Sequence, residues 1–367
     1  MNQQQRSEVT IVRQTAARFA RDVLVPARHA LLHHPDEALP AGLLDGLLGL
    51  GLHELGLEEE GERALLGAGL EELSRVAAAP ASLVLAHVIA RECLRQTGAL
   101  ERAPAAEGAG ALLALPLYAE PGLGDEGPSL RQDGAAIVLD GIAELVVGAP
   151  LAGAAVLVAR DAGDRERPAL VLAPLDAPGV SVGPALLTLG MRGAPTADVR
   201  FSKARLPATA RLAGATESGV VARDAARRAR GPALAIAAGV VEASLRTATE
   251  YARERYQGGK QIVDHQEVRA LLAGMVEDLA LCAEAAELLC GDALAESRAL
   301  ALFARAKRRA AHATCDGVQL LGGNGYMEDY DQERCLRDAK QAQALLGRTD
   351  LAAQAATEAW LAEGAGS

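Results

Sequence analysis

Short β-type runs fill only the middle of this 367-residue chain, and patterns typical of helices occupy both ends. Apolar, partly β-branched runs lie at 135–139, 154–159, 170–173 and 199–201, separated by Gly, Pro and Asp. Such runs are typical of short strands joined by turns. A chain with this order is expected to place one compact sheet between two helical regions.

Both ends of the chain carry helical periodicity. Near the N-terminus, Val9, Val12, Ala16 and Phe19 fall on one helical face. After residue 216, long alanine-rich stretches keep their apolar residues on one face in the same way, and helices of this kind usually pack as bundles. The sequence predicts an α+β protein of three domains: an N-terminal α-helical domain (1–110), a middle β-domain that forms a small barrel or sandwich (111–212), and a C-terminal four-helix-type bundle (213–367).

Composition limits the classes of partner. Half of the residues are hydrophobic, and 48 acidic residues outnumber 37 basic ones, for a net charge of −11. This charge disfavours nucleic acid and anionic membranes as partners. Charge-free runs such as 145–159 contain Gly and Pro and fall short of the roughly 20 apolar residues that cross a bilayer. Five cysteines without metal-type spacing suit reduced thiols. We expect a cytoplasmic protein with no membrane span, whose partners are small molecules and other subunits.

The most specific pattern lies in the last third of the chain. Residues 319–326 read Gln-Leu-Leu-Gly-Gly-Asn-Gly-Tyr, and Arg337-Asp338-Ala339-Lys340 follows at 337–340. Upstream, 251–260 ends in Gly-Gly-Lys and is followed by His265-Gln266. Shorter matches lie in the β-type region, at Glu120-Pro121-Gly122, Leu189-Gly190-Met191-Arg192-Gly193 and Phe201. In identity and spacing these segments resemble the landmarks of flavin-dependent acyl-CoA dehydrogenases, over essentially the full chain.

The resemblance implies a tetramer in which each FAD lies at a subunit interface, between the β-domain of its own chain and helices of a neighbour. The neighbour-side set is largely kept here. An arginine can pair with a pyrophosphate, and adjacent glycines let backbone approach the ADP half closely. The implied cofactor-binding residues are Arg255, Gln266, Gln319, Gly322 and Gly323. One member is lost, since the aromatic residue before Gly-Lys is Gly258.

The own-chain set is poorly kept. Where the family has Lys-x-Trp-Ile-Thr, whose Trp and Thr contact the flavin ring, residues 143–147 read Ala-Glu-Leu-Val-Val. Leu145 and Val147 cannot reproduce the stacking and hydrogen bonding of Trp and Thr. The Thr that precedes Glu-Pro-Gly in the family is Ala119. The resemblance therefore implies a flavin shared with a partner subunit.

Neither family position for the catalytic base holds an acid. The carboxylate that removes the substrate's α-proton would stand at Leu346, or in some relatives at Ala229. Leucine and alanine cannot accept a proton. Glu242 is the nearest acid along the following helix and is a weak candidate for a relocated base, because an acid on an amphipathic helix is usually a solvated or ion-paired residue. The catalytic residue is therefore left unassigned.

A histidine pair and an arginine cluster are two further patterns that could bind a ligand. His29 and His33 have helical spacing for a shared metal, but no third ligand accompanies them, so we expect no metal site. The cluster Arg223, Arg227, Arg228 and Arg230 could attract coenzyme A phosphates, although a solvated basic start of a helix is the commoner arrangement.

Three hypotheses remain open. The favoured one is the subunit without its own base in a heteromeric dehydrogenase of acyl-CoA thioesters, with bulky or steroid-derived acyl groups, that forms an α,β-unsaturated thioester. The second is an active homo-oligomeric acyl-CoA dehydrogenase with a relocated base. The third is a non-catalytic acyl-CoA-binding or scaffold homologue.

Overall fold

We describe the protein from a computed structural model, over residues 3–33, 42–104, 108–119, 127–161, 164–213 and 215–364. The Glu120-Pro121-Gly122 motif and the side chains of His29 and His33 fall outside the described part. The three predicted regions are confirmed: helices, then a sheet, then helices. The boundaries at 110 and 212 remain predictions.

The described part of the N-terminal region contains the α-helices α1 (Gln3–Phe19), α2 (Val25–His33), α3 (Leu43–Leu48), α4 (Glu60–Ser74) and α5 (Ala78–Gln96). α4 and α5 are buried along most of their length, which fits their high content of Ala and Leu. Pro80 lies in the first turn of α5, where a missing N–H removes no helical hydrogen bond. Gly98, with φ of 64°, follows the end of α5 in the left-handed conformation common after helices.

The middle region is one seven-stranded sheet. Its strands are β1 (Leu113–Ala114), β2 (Ser129–Asp133), β3 (Ala136–Val147), β4 (Ala154–Asp161), β5 (Asp164–Pro174), β6 (Val180–Val182) and β7 (Thr196–Pro207). The strand order is β1-β4-β2-β3-β7-β6, and β5 pairs with β4. Each β-type run of the sequence lies within or overlaps one of these strands. Some of their buried residues, such as Leu139 and Phe201, form a separate core, whereas others, such as Val156 and Leu170, pack into the core of the helices.

The C-terminal region is helical, with α6 (Ala215–Arg228), α7 (Arg230–Glu254), α8 (Gln266–Cys290), α9 (Glu296–Leu321), α10 (Gln332–Ala342) and α11 (Thr349–Gly364). The long helices α7, α8 and α9 pack on one another, and α10 packs on both α7 and α9. A two-stranded hairpin, β8 (Tyr256–Gln257) with β9 (Lys260–Gln261), joins α7 to α8. Its turn residues Gly258 and Gly259 both have positive φ, as a tight hairpin turn requires.

Polar side chains join the N-terminal helices to the C-terminal bundle. Arg63 of α4 is buried, and its guanidinium donates to the backbone oxygen of Cys290 at 2.6 Å and to Asp292 Oδ2 at 2.6 Å. The apolar residues of both helical regions belong to one continuous core. In the described ranges, no helix has the length and apolar character that a membrane crossing requires.

Candidate active site

A cavity of about 320 Å³ lies where the sheet, α5, α6 and the segment after α10 meet. Most of its lining is aliphatic. The lining residues are Ile89, Cys93, Leu115, Pro116, Leu117, Tyr118, Ala119, Gly127, Ala143, Glu144, Val156, Leu157, Val158, Leu170, Ala222, Ala226, Leu346, Arg348 and Leu351. All three regions of the fold contribute, so the cavity depends on how they pack together.

Leu346 lines this cavity on a backbone segment that is firmly held. Its N–H donates to the backbone oxygen of Leu117 at 2.9 Å, and its φ is 56°, which is uncommon for leucine. The buried ammonium of Lys307 donates to the carbonyl oxygens on either side, those of Leu345 (2.8 Å) and Gly347 (2.9 Å). The segment therefore presents residue 346 to the cavity whatever its side chain, and the side chain is aliphatic.

The other two candidate positions for a base lie elsewhere. Ala229 is fully buried at the start of α7 and is not one of the cavity-lining residues. Glu242 accepts hydrogen bonds from Arg75 Nε at 2.7 Å and from Arg246 Nη2 at 2.6 Å. Glu242 is thus ion-paired with two arginines and is not one of the cavity-lining residues.

Glu144 also lines the cavity, although the sequence patterns do not indicate it as a site residue. It is the only carboxylate among the described residues that line the cavity. β3 changes register between Ala143 and Val146, and Leu145 there has φ of 52° with its N–H bound to Asp198 Oδ1 at 3.0 Å. Such a bulge redirects side chains relative to strict alternation, and bulges are common beside active sites. No local sequence signal marks it.

Tyr118 and Arg348 are further polar residues of the cavity. Burial raises the pKa of Tyr118 to about 12, so its hydroxyl stays protonated at neutral pH. That hydroxyl contacts Gln341 and lies 3.9 Å from Met191 Sδ. The guanidinium of Arg348 pairs with Asp350 at 2.6 Å. Neither group is suited to take a proton from carbon at neutral pH.

A second surface collects the five predicted cofactor-binding residues. Arg255 follows α7, Gln266 begins α8, and Gln319 with Gly322 and Gly323 lies at the end of α9. All five are exposed. Around both glycines the space that a side chain would fill is open, so another molecule could approach their backbone closely.

Contacts join the parts of this surface. Asn324 Nδ2 donates to the Tyr251 hydroxyl at 3.1 Å, which connects the glycine segment to the last turns of α7. His265, just before α8, contacts the backbone oxygen of Gln257 at 3.0 Å. Arg255 Nη2 donates to Gln257 Oε1 at 3.2 Å. The structure thus brings the predicted set together on one exposed face.

Comparisons with known proteins identify the family. Residues 193–360 match the family described as acyl-CoA dehydrogenase, C-terminal domain. The chain is 29% identical to cyclohexane-1-carbonyl-CoA dehydrogenase of Geobacter metallireducens, over 94% of this chain and 95% of that protein. The same enzyme of Syntrophus aciditrophicus is 28% identical, over 81% of each. Residues 193–360 thus match the C-terminal domain of the acyl-CoA dehydrogenase family, and the chain is similar to such dehydrogenases over most of its length.

Solved structures of acyl-CoA dehydrogenases share the fold. Butyryl-CoA dehydrogenase of Megasphaera elsdenii superposes with a TM-score of 0.82 at 22% identity, covering 98% of this chain and 99% of that one. Glutaryl-CoA dehydrogenase of Mycobacterium smegmatis, solved in complex with FADH2, gives 0.75 at 20% identity, covering 96% and 93%. The predicted family fold is therefore confirmed along the chain.

The residues of this chain fit the neighbour side of a family flavin site better than they fit its own-chain side. The neighbour-side set keeps its cation, amides and glycines on an exposed face. On the own-chain side, Val147 is fully buried and offers no hydroxyl, while Leu145 and Ala119 offer neither a ring nor a hydrogen-bonding side chain. These residues do not fit the flavin ring as the family holds it.

Three arginines of the cluster at the α6–α7 junction, Arg227, Arg228 and Arg230, are ion-paired. Arg227 pairs with Asp224 (3.0 Å) and Asp292 (3.1 Å), and Arg230 with Glu296 (2.7 Å). Arg228 pairs with Asp224 at 2.7 Å. A second cavity of about 460 Å³ lies beside this cluster and shares Ala226, Leu346 and Leu351 with the first. Across the described ranges, no cluster of three or more His, Cys, Asp or Glu side chains could hold a metal.

Proposed function

We propose that this chain is the base-deficient subunit of a heteromeric acyl-CoA dehydrogenase that acts on CoA thioesters. The observation that carries the proposal is Leu346. It faces the cavity on a segment fixed by Lys307 and Leu117, at the position where the family places its carboxylate. A leucine there leaves the α-proton without an acceptor.

In this proposal the chain contributes neighbour-side contacts to an FAD that is seated mainly in a partner subunit. The exposed set around Arg255, Gln319 and Gly322 supports this role. When bound, FAD accepts the hydride in this family's oxidation. The residues of this chain would hold its ADP half through charge-assisted hydrogen bonds and close backbone approach.

Symmetry explains why a partner is needed. In a homotetramer every flavin site would combine a retained neighbour side with the same altered own-chain side, so each site would be incomplete. In a mixed tetramer, this chain's neighbour side can meet the intact own-chain side of a partner. Such an assembly holds fewer flavins than chains. The relatives named for cyclohexane-1-carbonyl-CoA make a cyclic acyl thioester the first substrate to test.

Co-expression with an acyl-CoA dehydrogenase-like partner tests the proposal. We expect the copurified complex to contain flavin and to oxidise the thioester, and the Arg255→Ala variant of this chain to lower its flavin content. Arg253→Ala, at an exposed arginine two residues earlier, is the matched control and should leave the flavin content unchanged. If flavin content and activity are the same with and without this chain, the proposal is wrong.

A second candidate is an active homo-oligomer in which Glu144 acts as the relocated base. Its support is that Glu144 is the only carboxylate among the described lining residues. This candidate predicts a yellow protein when the chain is expressed alone, with an activity that Glu144→Gln removes. A colourless preparation that does not take up FAD eliminates it. A chain that takes up no FAD with any partner would instead be a non-catalytic homologue.

A further inference from the structure

The cavity beside Leu346 has one polar end and one apolar end. Glu144 is exposed, and the side chain of Arg348 is 69% exposed, so the charged groups lie toward solvent. Ile89 and Cys93 of α5 are 3% and 2% exposed and belong to the helical core. A thioester with its polar coenzyme A portion would therefore enter past the charged residues and place its acyl group against α5.

The volume limits the size of that acyl group. An apolar protein cavity of about 150 Å³ holds one benzene molecule. At about 320 Å³, this cavity has room for roughly two such rings. By the same measure, a four-ring steroid nucleus needs roughly twice the space available.

The walls limit its shape. α5 closes the inner end with residues that already pack in the core, so a long chain has no exit there. Much of the space exists because small residues stand at Cys93, Ala119, Ala143, Ala222 and Ala226. Ala226, Leu346 and Leu351 line both this cavity and the second cavity of about 460 Å³. A space of about 320 Å³ that ends against buried residues of α5 suits a ring or a branched chain better than a long straight chain.

We infer that this chain's cavity binds a compact alicyclic or branched acyl group of a CoA thioester, and excludes long straight chains and steroid nuclei. The inference rests on the proposed function, because it assumes a CoA thioester as the ligand. It narrows the earlier expectation of bulky or steroid-derived acyl groups to a single ring. Leu346 has a role in it, because its side chain is the largest-volume one, together with Leu351, among the three that line both cavities.

Binding can be measured on the full chain without flavin or partner, by isothermal titration with cyclohexane-1-carbonyl-CoA, butyryl-CoA, palmitoyl-CoA and free coenzyme A. We expect cyclohexane-1-carbonyl-CoA to bind at least tenfold more tightly than palmitoyl-CoA and free coenzyme A. Equal affinity for cyclohexane-1-carbonyl-CoA and palmitoyl-CoA would overturn the inference. Because flavin plays no part in this assay, its result is independent of whether a partner shares FAD with this chain.

Two variants test the walls in opposite directions. Ala222→Leu fills space in the first cavity. We expect it to weaken the binding of cyclohexane-1-carbonyl-CoA at least tenfold and to change the affinity for butyryl-CoA less. Ala280→Leu, the same substitution at an exposed position of α8, should change neither. Leu346→Ala removes most of a side chain that lines both cavities. It should strengthen the binding of palmitoyl-CoA relative to that of cyclohexane-1-carbonyl-CoA. Unchanged selectivity in both Ala222→Leu and Leu346→Ala would show that the ligand lies elsewhere.

Discussion

The backbone N–H of Met191 donates a hydrogen bond of 2.6 Å to Asp338 Oδ1, and this bond joins the end of the sheet region to α10. The other oxygen of the same carboxylate pairs with Arg334 at 3.2 Å. Both charged side chains are 2% exposed. Two landmarks that are far apart in sequence, the Gly-Met-Arg and Arg-Asp-Ala-Lys segments, are thus parts of one buried contact.

Removing that carboxylate should destabilise the protein strongly. Asp338→Ala leaves buried Arg334 with the more distant Asp331, at 3.5 Å, and Met191 N–H without this acceptor. Breaking a buried pair from one side costs about 3–5 kcal/mol. Urea denaturation measures the effect. Lys340→Ala, exposed on the same helix, should stay within about 0.5 kcal/mol of the wild type. Equal effects of the two substitutions would mean that this contact does not hold the regions together.

Substitution by alanine should destabilise the protein at Gly190 but not at Gly323. A Cβ at Gly190 would meet the backbone of Arg337 and Asp338, which cannot move as a side chain could, so Gly190→Ala should cost ~1–3 kcal/mol. A Cβ at Gly323 would meet open space. Gly323→Ala should therefore leave the urea midpoint unchanged and lower only the flavin content of the mixed complex. A loss of stability at Gly323 would argue for a purely structural glycine.

His87 should make the protein sensitive to mild acid. Burial lowers its pKa to about 3, and its neutral Nδ1 accepts a hydrogen bond from Leu113 N–H at 3.0 Å. Unfolded histidine titrates near 6.5, so below that pH the unfolded chain gains a proton that the folded chain refuses until about pH 3. This histidine therefore costs no stability above pH 6.5 and about 2 kcal/mol by pH 5.

The matched variant is His87→Gln, which keeps an acceptor and does not titrate. Its unfolding free energy should fall less than that of the wild type between pH 7 and pH 5. A difference between the two proteins that stays constant across this range would contradict the assignment of the acid sensitivity to His87.

A carboxylate restored at position 346 should face the cavity. Lys307 and Leu117 hold the backbone of this segment, so Leu346→Glu changes the side chain without removing its support. In the chain purified without its partner, whose own base would also remove this proton, we expect the variant to exchange the α-proton of cyclohexane-1-carbonyl-CoA with D2O, as mass spectrometry can measure. Leu346→Gln is the control, because an amide cannot accept the proton. The same exchange in wild type, Gln and Glu forms would show that residue 346 does not reach the α-carbon.

The fold was predictable because its signals are local. Helical periodicity, β-type runs and the spacing of the C-terminal segments all lie within short windows of sequence. Features that depend on distant contacts were not predictable. Glu242 looked available in sequence, yet it pairs with Arg75, which directly follows α4. Arg227 looked like a solvated cation, yet it pairs with Asp292 after α8.

The candidate site shows the same difference between features with a local sequence signal and features without one. Gln319 and Gly322 are exposed, and their role in binding a cofactor stays a prediction. The position of Glu144 at the cavity could not be predicted from the sequence. The bulge in β3 and the positive φ of Leu145 interrupt the alternation of side chains between the two faces of the sheet. Backbone irregularities of this kind have no signature in a single sequence.

Flavin absorbance per chain, measured for this protein alone and for the complex with its partner, tests the central claim most directly. The account predicts a colourless protein alone and a yellow complex with fewer flavins than chains. It would be contradicted by a protein that, purified alone, carries one flavin per chain and oxidises an acyl-CoA thioester.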